Sequence, residues 1–236
     1  MSTITSIMIS AFGNKQINPD AEIVSFYMNE IKKLTGIDYL PNIVYSPTIN
    51  IATGQMSQIP NITFSSLGNI SRVTFVNSRV DFIYNFNEGT QAEISSRYNQ
   101  GIDIIKLILN KSDIMSNRLA LNVDLIGLIG DDSRIKSDMM NVLPYYQKRN
   151  IKEWSSRINA NTEITIQERK ELLNVITDNA MVEDPSTVNG KLNSHIDINT
   201  IAENIDFRFS SDAIGLFVEE ARMIFDSLKK EIEGLL

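Results

Sequence analysis

The only histidine of the 236-residue chain, His195, lies in Asn193-Ser194-His195-Ile196-Asp197-Ile198-Asn199. On a strand, alternation puts Asn193, His195, Asp197 and Asn199 on one face and Ser194, Ile196 and Ile198 on the other. An imidazole and a carboxylate two residues apart suit a base and its orienting acid, or two members of a metal site, so His195 and Asp197 are the candidate catalytic residues of a metal-dependent enzyme. A solvated strand face explains the same alternation without chemistry. Asp124, Asp131 and Asp132 form the tightest acidic group near a strand end, a pattern that suits magnesium. Asp131 and Asp132 also stand where helix capping favours acidic residues. Trp154, with Tyr145, Tyr146 and the basic run Lys148-Arg149, is a candidate protein interface, since aromatic residues beside basic ones anchor partners or stack bases.

The composition excludes more than it assigns. With no cysteine, there is no thiolate zinc site, iron–sulfur cluster, disulfide framework or cysteine nucleophile. A net charge of −7 works against phosphate binding, so a nucleic-acid-binding saddle is the least favoured of three functional readings. No glycine-rich phosphate loop, nucleophile elbow or His-Glu metal helix occurs, and no cofactor is expected. The start, Met1 to Ser10, lacks a basic region, and no apolar run approaches the length of a membrane span. A cytoplasmic protein without membrane contact is therefore expected.

The elements that would position these residues follow from periodicity. Thr3 to Phe12 reads as a strand. Asn18, Pro19 and Gly36 bracket a helix with Ile23, Phe26, Tyr27, Ile31 and Leu34 on one face. Pro41, Pro47 and Pro60 are expected to break the following stretch into short extended pieces. Arg72–Val76 and Arg79–Phe86 read as a hairpin turning at Asn77-Ser78. Thr90-Gln-Ala-Glu93 opens a helix running to Lys111. The chain then starts over, with a strand over Arg118–Ile129, a helix carrying Ile135, Met139 and Val142, and extended segments at Trp154–Ile158, Glu171–Met181, Lys191–Asn199 and Ile205–Phe209. A terminal helix with Ile214, Phe217, Val218, Ala221 and Phe225 on one face closes it.

The expected fold class is α+β: duplicated β-α-β4-α halves at 1–115 and 116–236, forming a curved antiparallel sheet with long helices packed on one face. This order resembles the unit found twice in TATA-binding proteins. A second resemblance rests on Asn117-Arg118-Leu119-Ala120-Leu121-Asn122, on His195-Ile196-Asp197-Ile198-Asn199 and on Phe217-Val-Glu-Glu-Ala-Arg. These are similar to a sporadically distributed, uncharacterised prokaryotic family that implies no activity. The Asn- and Ile-rich composition fits an AT-rich bacterial or phage genome. The first expectation for function is a non-enzymatic interaction or assembly factor, with a role in phage–host conflict as one setting, and with another protein or a second copy of the chain as its partner.

Overall fold

A computed structural model describes residues 2–49, 54–87, 89–130, 153–182 and 190–236. Among these residues nine strands form one antiparallel sheet in the order β2-β3-β4-β5-β1-β6-β9-β8-β7. In chain order these are β1 (Ser2–Gly13), β2 (Tyr39–Ile49), β3 (Met56–Ser66), β4 (Ser71–Val76), β5 (Arg79–Asn85), β6 (Ser116–Leu128), β7 (Glu153–Ile166), β8 (Arg169–Val182) and β9 (Lys191–Thr200). Among the described residues three α-helices accompany them: α1 (Ala21–Thr35), α2 (Gln91–Lys111) and α3 (Ala213–Glu233). No described helix is long and apolar enough to cross a membrane.

This corrects the expected fold class. The chain is sheet-rich, 49% strand against 30% helix, rather than an α+β fold organised by long helices packed on one face. Two local expectations also change. Ile205–Phe209 is no strand; Phe209 makes only an isolated bridge to Ser116. Its backbone winds around the Arg208 guanidinium, which donates to the carbonyls of Asn117 (2.7 Å), Asn204 (3.2 Å) and Asp206 (3.1 Å). The prolines, in turn, do not break the chain, because β2 and β3 pair along their whole lengths.

Hydrogen-bond parity explains how the prolines are tolerated. Asn85 N donates to Ile70 O, so odd residues of β5 bond toward β4. Carried through the registers of β4, β3 and β2, that parity turns odd residues of β2 away from the sheet and even residues of β3 away from β2. Pro41, Pro47 and Pro60 all occupy positions where no ladder bond to the β2–β3 pair is lost. At the opposite edge, Ile201 N donates to Leu172 O, so odd residues of β8 bond to β7. The β7 residues left with outward N–H and C=O groups are the odd ones, Ser155 through Thr165. No proline interrupts them.

The helix ends are chemically specified. Asp20, rather than Asn18, caps α1 by accepting from Ile23 N at 2.7 Å, and Gly36 closes it at φ 70°. Thr90 caps α2 by accepting from Glu93 N at 3.2 Å. Core side chains come from alternate positions: Ile7, Ile9 and Ala11 on β1, Phe82 on β5, Leu119, Leu121 and Val123 on β6, and Ile196 and Ile198 on β9. α2 rests on β1 and β5, while α3 rests on β6, β1, β7 and β9. On β1 the buried positions shift from Ile4 to Ile7 because the β1–β6 register slips between Ile4 and Ser6, leaving Thr5 as an extra residue.

Candidate functional site

The residues on the sheet face opposite this core line up by register rather than by sequence proximity. Ser6 pairs with Asn85 on β5 and Asp124 on β6; Asp124 pairs with His195 on β9; His195 pairs with Asp178 on β8; Asp178 pairs with Arg157 on β7. One polar row thus crosses six strands. The slip at Thr5 is what brings Ser6 onto this face beside Asp124. Around Asp124 and His195 the surface forms an open depression of about 510 Å³, with Thr5, Asn85, Asn193 and Ala180 on its walls.

Within the row, Asp124 Oδ1 lies 2.7 Å from His195 Nδ1, and the Ser6 hydroxyl donates to Asp124 Oδ2. The hydrogen bond to the carboxylate raises the His195 pKa above its ordinary 6.5, against the opposing effect of burial. The bond from His195, with the Ser6 hydroxyl assisting, lowers the Asp124 pKa below 3.8. With Nδ1–H directed at Asp124, Nε2 is the nitrogen left for another partner. Arg157 Nη1 meets Asp178 at 3.1 Å, which neutralises the next carboxylate in the row.

This geometry replaces the sequence-based pairing. Asp124, 71 residues away in sequence, orients His195. Asp197 instead accepts from Asn199 Nδ2 at 2.9 Å. Ser6 bonds to the carboxylate and not to the imidazole, so the order is hydroxyl, carboxylate, imidazole. The hydroxyl-to-imidazole bond of an activated nucleophile is not formed. Among the described residues no group of three or more His, Asp or Glu side chains is placed to hold a metal ion. Asp131, Asp132, Tyr145, Tyr146 and the helix expected around Met139 lie outside the described residues. Trp154 is half-buried at the start of β7, packed against the core.

Both partners of the His195–Asp124 pair are nearly half exposed, so solvent screening limits its value. His195→Ala is therefore expected to cost less than about 1 kcal/mol. The pH signs are opposite for the two groups. The raised His195 pKa contributes fully below its unfolded value near 6.5 and fades as pH rises through the folded value. The lowered Asp124 pKa contributes above 3.8 and fades as pH falls through its folded value. Thermal melts of wild type and His195→Ala should differ most between these limits and converge above and below; a gap widening above pH 8 would contradict the assignment.

A second exposed surface lies on the β2–β3 hairpin. Tyr45, Ile49 and Met56 of the hairpin are 58–73% exposed on one face, and Leu40 and Val44 are 54–68% exposed on the other. Tyr39, Ile62 and Phe64 on the same hairpin are buried in the core. Ile43, Tyr45 and Ile49 share the parity of Tyr39, so they continue its core-facing side past the part that is covered. The signal was present in the sequence: from Tyr39 to Ser71 no residue is charged, in a chain that is 22% charged.

No protein-family model and no curated protein matches the chain. Among solved structures it is similar to a phage SAM lyase in complex with S-methyl-5'-thioadenosine, at 12% identity and a TM-score of 0.25, over 51% of this chain and 80% of that one. A likeness of that size carries no argument about fold or chemistry.

Proposed function

We propose that the chain is a non-enzymatic protein-interaction factor of the bacterial or phage cytoplasm, docking a protein partner on the β2–β3 hairpin. The observation that carries this reading is the exposed apolar side of that hairpin, an uncharged continuation of the core face. Monomeric soluble proteins rarely leave such a patch bare unless something binds it. Tyr45, 58% exposed and flanked on its own face by Ile43 and Pro47, is the aromatic anchor of the kind that dominates interface energetics. The partner presents an apolar surface, because no hairpin charge is available to pair with an ionic one. The same lack of Lys and Arg disfavours an anionic membrane.

Capture from bacterial extract by wild type and by Tyr45→Lys, side by side, tests the proposal. A protein retained by wild type and lost from a variant of unchanged melting temperature supports it. Identical captured sets, or hairpin-dependent binding to lipid vesicles instead of protein, would overturn it.

A further inference from the structure

We infer that two copies of this chain join through their β7 edges, antiparallel about a two-fold axis at Ala160, to make one continuous sheet. The inference extends the association reading to a second surface and stands on different residues from the hairpin. The sheet has two ends of unlike character. On β2 the outward positions include Pro41 and Pro47, which lack the N–H that an added strand would need. On β7 every outward residue from Ser155 to Thr165 keeps both its donor and its acceptor, and among the described residues β8 is the only strand beside it. Residues 157–161 are exposed on both faces of the strand.

Strand polarity and charge select the register. An isologous antiparallel pair of β7 strands must set outward residues opposite outward residues, which restricts the axis to steps of one residue along the strand. With the axis at Ala160, Asn159 faces Asn161, Arg157 faces Glu163 and Ser155 faces Thr165, each pair occurring twice. Arg157 and Glu163 are the charged residues of the strand interior, and this register alone sets them opposite each other. Moving the axis to Asn159 would put Glu163 opposite Ser155, and moving it to Asn161 would put Arg157 opposite Thr165. Both side chains have room for a second partner: Arg157, held by Asp178, is 61% exposed, and Glu163, held by Lys170, is 54% exposed. The ladder would supply about twelve backbone hydrogen bonds, with Ala160 facing its own copy in a non-hydrogen-bonded pair. The small side chain at that point lets the two strands approach.

The chain has no cysteine, so one introduced thiol reports the contact cleanly. In a non-hydrogen-bonded antiparallel pair the Cα atoms lie about 4.5 Å apart, within disulfide reach. Ala160→Cys is exposed and should fold as wild type, and mild oxidation should convert it to a covalent dimer. Ile158→Cys is the control, since its two copies would lie about four residues apart along the ladder, beyond reach. Light scattering should show wild type dimerising. Arg157→Glu should raise the dissociation constant about tenfold or more, and Arg157→Glu combined with Glu163→Arg should restore most of the loss. A wild-type monomer at every concentration to roughly 100 µM would overturn the inference. So would equal cross-linking of Ala160→Cys and Ile158→Cys, or a dimer indifferent to both charge reversals. None of these outcomes touches the hairpin proposal, which is read on Tyr45→Lys.

Discussion

Glu171→Ala is expected to destabilise the chain by about 3–5 kcal/mol, because it strands a buried guanidinium. Arg208 and Glu171 side chains are each 7% exposed and meet as a fork, Nε to Oε1 at 2.9 Å and Nη2 to Oε2 at 2.8 Å. The remaining nitrogen, Nη1, is committed to three backbone carbonyls. The pair therefore fastens the segment between β9 and α3 onto β8 and onto the start of β6. Arg208→Lys should not rescue the fold, since an ammonium cannot grip the carboxylate with two nitrogens and hold the loop carbonyls at once. Chemical denaturation of the two variants measures both effects. A loss below about 1 kcal/mol in each would mean that the pair behaves as a surface bridge.

The second large effect is at the contact between α2 and the sheet. Phe82 is fully buried on β5, and Gly101 of α2 lies directly over it: a Cβ at Gly101 would fall 2.5 Å from Phe82 Cδ1 and 2.8 Å from Ile9 Cδ1. Phe82→Ala should cost about 3–5 kcal/mol through lost burial and a residual cavity. Gly101→Ala should cost about 1–3 kcal/mol for the opposite reason, a methyl group forced into filled space. The double variant should lose less than the sum, because the alanine methyl enters volume that the ring vacated. Strict additivity in denaturant unfolding would contradict the close approach.

What could be read from the sequence was local. The alternation of Val80, Phe82 and Tyr84 marks β5, the Thr90–Glu93 pair marks the start of α2, and the apolar face of α3 is explicit in Ile214, Phe217, Val218 and Ala221. Asn77, at φ 55°, turns β4 into β5 where a tight turn was expected. What escaped depends on which strands become neighbours. Asp124 and His195 each lie on a visibly polar strand face, but only the β6–β9 pairing makes them partners. Ser6 was hidden by the slip at Thr5, which reverses the alternation of β1. The prolines of β2 and β3 misled because a missing N–H is harmful only where the ladder needs it. At Ile205–Phe209 alternation suggests a strand, whereas Asp206 O is taken by Arg208, Ile205 O by Asn117 Nδ2 and Phe209 O by Ser116 N.

The central claim places the working surface on the β2–β3 hairpin and not at the His195 row. The measurement that separates the two most directly is site-specific photocross-linking in bacterial cells, with a photoreactive phenylalanine analogue in place of Tyr45 in one sample and of His195 in another. The hairpin account predicts a discrete adduct of this chain with a second protein from position 45 and none from position 195. An adduct confined to position 195, with position 45 silent, would contradict it.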